Sequence, residues 1–520
     1  MTTVTLERPP AGKVVIEGRG PESEFPQLRP PLAVPFLLVI FGASGDLTAR
    51  NLLPALFRLF VNGSLPESFA ILGCSRTQWD DEGFRGKMEN ACREAGCRHF
   101  DERWPDFRAH LHYRPIAYDS RPDFEGIADR LRELSREHET GWNRIFYLST
   151  PPDLMGTISE LIGEVGLAEE ERGVGWSRLV AEKPFGRDYE SALELDTVLH
   201  RSFAEHQIFR IDHYLAKETV QNILILRFAN TIFEPLWNRK YIEYVGMITA
   251  EKVGVEHRAG YYEQAGVLRD MFQNHMLQLL ALTAMEPPSR FESQMVQDEK
   301  VKVFRSLKSL VAQNQEENLI MGQYVSGRMG GQKVPAYRDE PGVDDASFVP
   351  TFAMLRVFID NWRWRDVPFY LASGKRLASK VTRIVIQFKN VPHSMFENIL
   401  GERITANRLI LGIYPDEEIK LTFQTKIPGS KVDLRSVTMD FKYYKGEGPA
   451  LDAYEKVLLN VIQGDRMLFL RQDAVELCWS FLTPILEVCC KDRVAPLHFY
   501  EAGSWGPEEA HEWMEMLMAD

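Results

Sequence analysis

The chain has 520 residues, 44% hydrophobic and 26% charged, an ordinary globular composition that argues against wholesale disorder and against a fibrous protein. With 61 Lys and Arg against 74 Asp and Glu, the formal charge is −13. That balance suits neither a nucleic-acid coat nor a binder of anionic membranes, so positive charge for any phosphorylated ligand must be gathered locally.

Length alone predicts two or three domains. No apolar run approaches the roughly 18 residues of a membrane span, and no basic stretch followed by an apolar core marks a secretory signal. The six cysteines, Cys74, Cys92, Cys97, Cys478, Cys489 and Cys490, form neither C-x-x-C nor zinc-finger spacing. Reduced thiols in a cytoplasmic protein are the expectation, with the adjacent Cys489 and Cys490 read as small buried residues rather than a disulfide.

Residues 1–30 read as a flexible tail, with Pro, Gly and Glu scattered without period. VPFLLVIFG (34–42) is a continuous apolar run ending in Gly, the pattern of a buried parallel strand. LTARNLLPALFRLF follows with Leu52, Leu53, Leu56 and Phe60 at helical spacing. FAILGCSR (69–76), RIFYLST (144–150) and RLVAEKPFG (178–186) predict further strands with helical stretches between them, the grammar of a doubly wound parallel sheet. After about residue 240 the grammar changes. YVGMITAEK, FAMLRVFID, VTRIVIQFK, RLILGIY, EIKLTFQTK and LRSVTMDFKY arrive mostly without long helices between the later ones. Ile419, Leu421 and Phe423 alternate with Lys420, Thr422 and Gln424, which predicts an antiparallel strand with one wet face. The expected architecture is therefore α/β plus α+β: a Rossmann-like doubly wound parallel sheet in residues 31–211, then a β+α domain with a large, mainly antiparallel sheet in 212–520.

The first strand runs into Gly42-Ala43-Ser44-Gly45-Asp46-Leu47. Glycines at a strand-to-helix turn let backbone N–H groups approach a phosphate, and Asp46 is the predicted helix start. The spacing is G-x-x-G rather than G-x-G-x-x-G, and many such turns are only tight connections; the flanking strand and helix favour a dinucleotide site. The second strand ends in Cys74-Ser75-Arg76-Thr77, without the acidic residue that holds a ribose 2′-hydroxyl in NAD sites. Arg76 offers a planar fork for a 2′-phosphate, against the alternative of a solvated surface arginine. The reading favours NADP, with NAD as the weaker alternative.

The densest reactive cluster is RIDHYLAKETVQN (210–222), holding Arg210, Asp212, His213, Tyr214, Lys217 and Glu218. On a helix, His213, Tyr214 and Lys217 would share one face and could cradle a phosphate dianion; a charged amphipathic helix start is the competing reading. His275, in RDMFQNHMLQLLAL, lies at helical spacing from Met271, Phe272 and Leu279. By pattern alone it is either a hydrogen-bonded core histidine or a base.

GASGDLTARNLLPALF, EKPFGRD, RIDHYLAKE, LRFANTIFEPLWNR, GVLRDMFQNHMLQ, GKRLASK and AGSWGP together resemble, in order, the glucose-6-phosphate dehydrogenase family, from about residue 34 to about 510. The resemblance implies oxidation of glucose 6-phosphate at C1 by NADP, without a metal. It implies His275 as base and Asp212 as its carboxylate partner. It places His213, Tyr214 and Lys217 on the phosphate and Lys183 between sugar and cofactor, with a cis bond before Pro184. Glu251 and Asp270 would hold sugar hydroxyls; Lys375 and Lys380 would complete the sugar-phosphate site, although a family member can carry Arg at the second position. The second domain would serve substrate binding and assembly as a homodimer or homotetramer, with the large sheet as interface. Ala216 stands where the signature usually has Gly, and the C-terminal EWMEMLMAD shows no counterpart of the structural NADP site of some animal members. Two other readings compete: a relative acting on another hexose 6-phosphate or preferring NAD, and a non-catalytic NADP-binding module.

Overall fold

A computed structural model describes residues 13–14, 34–170, 174–310, 315–395, 404–427, 429, 434–442, 451–491 and 495–519. Strands β1 (Phe36–Phe41), β2 (Phe69–Ser75), β3 (Leu111–Pro115), β4 (Arg144–Leu148), β5 (Ser177–Ala181) and β6 (Ile208–Ile211) belong to the first sheet. Strands β7 (Ile242–Ala250), β8 (Leu319–Val325), β9 (Phe352–Phe358), β10 (Pro368–Gly374), β11 (Val381–Phe388), β12 (Arg408–Tyr414), β13 (Glu418–Lys426) and β14 (Leu434–Lys442) belong to the second. Two late strands divide: β15 (Phe469–Leu470) returns to the first sheet and β16 (Leu497–Glu501) joins the second.

The first sheet runs β15-β6-β5-β4-β1-β2-β3. All its pairs are parallel except β15 against β6. Strands β1 and β2 are buried along their whole length, which is why they read as unbroken apolar runs. The order reverses where β1 meets β4, opening a crevice beyond the carboxyl ends of these strands. Two strands of this sheet, β3 and β6, escape the sequence pattern: β3 carries His112 and Arg114, and β6 ends on the charged cluster.

The second sheet runs Lys13–Val14, β14, β13, β12, β11, β7, β10, β9, β8, β16. It is mixed but mainly antiparallel, with parallel pairs at β7·β10 and at its two edges. Of the expected tail, Lys13 and Val14 are described, and they pair with Thr438 and Met439 of β14; the rest of residues 1–30 lies outside the described residues. Strand β13 is half-buried on both faces rather than dry on one, because the sheet here runs past the body that covers its centre.

The helices that bear on the site are α1 (Leu53–Val61), α2 (Glu218–Phe228), α3 (Ala259–Val267), α4 (Leu277–Ala284), α5 (Ser293–Arg305), α6 (Gln472–Leu486) and α7 (His511–Met518). One apolar core joins the first sheet to one face of the second. A smaller one, including Tyr244, Phe352, Met354 and Leu517, covers part of the other face beneath α7. No helix among the described residues is long and apolar enough to cross a membrane. Cys489 is buried; the Cys490 side chain lies outside the described residues.

Candidate active site

Between α3 and α4 the chain forms a π-helical segment, Leu268–Met276. Its i→i+5 repeat brings residues five apart to nearly one face, so Asp270 and His275 both project into the same cleft. An α-helical count puts His275 with Met271, Phe272 and Leu279 instead. Those neighbours are indeed buried, but the imidazole is turned out of the apolar layer toward charge.

His275 is 1% exposed and Asp212 likewise 1%. The His275 Nδ1–H donates to Asp212 Oδ1 over 2.5 Å. This bond fixes the tautomer and leaves Nε2 as the acceptor, with Lys183 Nζ donating to it at 3.2 Å. Burial would raise the Asp212 carboxyl, but His275, through its charge when protonated and its hydrogen bond, holds it well below its ordinary range. Burial lowers His275 below the usual imidazole value; Asp212 opposes that shift and Lys183 adds to it. At neutral pH the pair is therefore a carboxylate and a neutral base.

Asp270 joins two lysines. Lys183 Nζ donates to its backbone oxygen at 3.1 Å and to Oδ1 at 3.4 Å, while Lys375 Nζ stands 3.9 Å from Oδ2. Burial pushes the Asp270 carboxyl up, but Lys183 and Lys375 more than offset it. Lys375 also donates to Glu251 Oε2 at 2.6 Å, linking the end of β10 to the end of β7 across a parallel pair. The Lys183–Pro184 peptide is cis.

The charged cluster does not form the helix that its spacing suggested. Residues 213–216 are turns, and Lys217, a bend, is the extended N-cap of α2. The turn nevertheless assembles a wall. Tyr214 stacks on His275 with centroids 4.1 Å apart, His213 meets the same ring edge-on at 4.6 Å, and Lys217 Nζ lies 3.6 Å from the Tyr214 ring centre. Burial first, then the neighbouring His275, pushes His213 down to about 3. Burial, with Lys380 second, pulls Lys217 down to about 8. Lys380 is exposed, with its ammonium over the Tyr414 ring at 4.3 Å. Arg210 and Glu218 do not join the wall: Arg210 pairs with Asp196 and Glu205, and Glu218 pairs with Lys456. Ala216 is buried without a positive φ, so its methyl causes no backbone strain.

The glycine turn lies at the carboxyl end of β1, in the crevice of the first sheet. Gly42 has φ +86, and a Cβ there would sit 2.1 Å from Ser149 O. The glycine is thus required by the next strand's backbone, independently of any ligand. The helical run begins at Asp46, as expected. Gly42 and Ala43 donate to Cys74 O, and Ser75 and Thr77 hydroxyls donate to Ser44 Oγ at 3.0 and 2.9 Å. These bonds tie Gly42–Leu47 to the segment carrying Arg76, which is exposed, its guanidinium 5.8 Å from the centre of the Tyr118 ring. This arrangement fits a dinucleotide: a helix start for the pyrophosphate and a guanidinium beside it at the end of β2.

Sequence reasoning missed Tyr118 and Tyr261. Tyr118 follows β3, a strand the pattern hides. Tyr261 donates to Asp270 Oδ1 at 3.4 Å from the far side of the break at Gly266, which no periodicity signals.

Two family models match the chain: "Glucose-6-phosphate dehydrogenase, NAD binding domain" over residues 39–222 and "Glucose-6-phosphate dehydrogenase, C-terminal domain" over 224–518. The chain is 47% identical to glucose-6-phosphate 1-dehydrogenase of Aggregatibacter actinomycetemcomitans over 475 residues, covering 91% of this chain and 94% of that one. It is 44% identical over 484 residues to that of Treponema pallidum, covering 92% and 93%. A solved structure described as glucose-6-phosphate dehydrogenase in complex with its substrate glucose-6-phosphate superposes with a TM-score of 0.85 at 32% identity, covering 93% of this chain and 98% of that one.

Proposed function

The chain belongs to the glucose-6-phosphate dehydrogenase family, and from that premise we propose that it oxidises β-D-glucose 6-phosphate to 6-phospho-D-glucono-1,5-lactone with NADP as the hydride acceptor. The observation that carries the reading is the buried Asp212–His275 pair, with Nε2 turned toward a cleft walled by Lys183, Lys217 and Lys375.

The C1 hydroxyl enters beside His275 Nε2 and takes the place of the Lys183 ammonium there. His275 accepts the hydroxyl proton as the C1–H electron pair leaves, and Asp212 stabilises the imidazolium that forms. Bound NADP supplies the electron sink for the hydride. Lys183, released from Nε2, keeps its hold on Asp270 and positions the sugar against the cofactor crevice. Glu251 and Asp270, each already tied to a lysine, accept hydrogen bonds from ring hydroxyls. His213, Tyr214, Lys217 and Lys380 meet the phosphate dianion, the lysines by charge and the neutral imidazole and phenol as donors. Lys375 completes this group from the second sheet.

Arg76 supports NADP over NAD, because a guanidinium rather than a carboxylate ends β2. In this reading residues 31–211 hold the cofactor and 212–520 the substrate. Exposed Met439 and Phe441 on β14 support the large sheet as the surface of a homodimer or homotetramer.

The deciding experiment mixes the purified protein with glucose 6-phosphate, galactose 6-phosphate or free glucose, each with NADP and with NAD, and follows the absorbance of reduced nicotinamide. Turnover should be fastest with glucose 6-phosphate and NADP. No reduced nicotinamide from any pair would overturn the enzymatic reading; preference for NAD or galactose 6-phosphate would overturn its finer part.

A further inference from the structure

The mechanism uses one oxygen of Asp212. Oδ1 receives the His275 proton donor and the Tyr214 backbone N–H at 3.0 Å. Oδ2 is buried with no hydrogen-bond partner among the described residues. A sealed carboxylate with a bare oxygen calls for a countercharge nearby, and neutral His275 does not supply one.

Lys300, which the proposed mechanism does not use, lies behind the pair. It stands on α5, is 2% exposed, and its ammonium and the Asp212 carboxylate attract one another. Cys478 of α6, 1% exposed, has its thiol kept neutral by burial, so it adds no charge there. The fold brings α5 to this carboxylate: Gln297, one turn before Lys300, donates to Phe469 O at 3.3 Å, and Phe469 pairs with Ile211, the residue before Asp212. The other charges around Lys300 are already engaged. Arg471, before α6, is bound to Asp298 at 2.5 Å and Asp473 at 2.8 Å. Glu299, on α5 itself, holds Lys302 at 2.6 Å. Helix α4, packed against α5, carries no charged residue. Around His275 the facing groups are Asp212, Lys183, His213 and Asp270. Burial pulls Lys300 down to about 8 against the pull of Asp212, so near neutral pH it retains its charge.

We propose that Lys300 is a positioning residue for the proton acceptor: a buried cation behind the Asp212–His275 pair that holds Asp212 ionised and sets the pH at which His275 takes a proton. The role rests on the dehydrogenase reading above. A fixed positive charge next to Asp212 weakens the carboxylate's pull on a proton at His275, so the base stays neutral to lower pH.

The test compares Lys300→Met and Lys300→Gln, which remove the charge, with Lys300→Arg, which keeps it. The readout is the pH profile of kcat/KM for glucose 6-phosphate, alongside thermal midpoints. Both neutral variants should move the acid limb upward by about one pH unit, the size of shift one neighbouring charge produces, and Lys300→Arg should keep the wild-type limb. Folded neutral variants with a wild-type limb would overturn the proposal. So would an equal shift in Lys300→Arg, or folding of Lys300→Arg when neither neutral variant folds, which would make the role structural. Imidazole nitrogen NMR of His275 reports the same shift without turnover. A wild-type protein that makes no reduced nicotinamide therefore sinks the functional reading while the Lys300 comparison is still decided.

Discussion

The His275 Nδ1–H donates to Asp212 Oδ1 over 2.5 Å while the other ring nitrogen faces Lys183, so one imidazole is held between an anion and a cation. The anion orients the ring and favours its protonated form; the cation and burial disfavour it. The base is consequently neutral below the ordinary imidazole range, and kcat/KM should fall only when pH drops below about 6.5. His275→Asn should reduce kcat by roughly 10²–10⁴ with little change in fold, and Asp212→Asn should do the same by releasing the tautomer. Lys183→Met should move the acid limb upward, because it removes a charge that lowers His275. Near-normal turnover in His275→Asn would remove the base from this position.

The phosphate wall contains its own titration. Lys217 sits at about 8 because burial and Lys380 both disfavour its charge. In the free protein it is a cation below that pH and neutral above it. Affinity for a dianion therefore falls as pH rises through about 8, and KM for glucose 6-phosphate should climb there while kcat changes little. Lys217→Arg, which stays charged at all working pH values, should flatten that climb. A KM that is level from pH 7 to 9 in the wild-type protein would argue against Lys217 as the phosphate cation.

Arg76 faces a simpler test. A charge-assisted hydrogen bond to a 2′-phosphate contributes about 1.5–3 kcal/mol, which corresponds to roughly 10- to 100-fold in binding. Arg76→Ala should raise KM for NADP by that factor and leave KM for NAD nearly unchanged. Equal losses for both cofactors would show that Arg76 supports the turn rather than reading the phosphate.

The sequence makes the first sheet legible where burial on both faces writes unbroken apolar runs, as in β1 and β2. It hides β3 and β6, whose short spans carry His112, Arg114 and Arg210. Reactive groups were visible as a cluster, but their geometry was not. His213, Tyr214 and Lys217 meet through a turn rather than a helix, so the correct grouping followed from the wrong local structure. The Asp270–His275 relationship was illegible for a related reason: α-helical counting puts residues five apart on different faces, and the π-helical segment that unites them has no compositional mark. Ser44, Ser75 and Thr77 look like ordinary small polar residues until the fold ties their hydroxyls together.

Gly266 is where that π-helical segment is aimed. It has φ 57 and ψ 177 inside an otherwise helical run, a conformation open essentially to glycine alone. The break lets α3 present Tyr261 toward Asp270 while the next residues turn Asp270 and His275 into the cleft. In Gly266→Ala the added Cβ would stand 3.2 Å from a Val349 methyl, which is tight but yielding; the backbone strain, about 1–3 kcal/mol, is the larger effect. The variant should therefore fold with a lowered thermal midpoint. Its kcat should fall more than its affinity for NADP, since the strain relaxes by moving the base and not the glycine turn at Gly42. A variant that loses stability but keeps kcat would show that the π-helical segment holds its aim without Gly266.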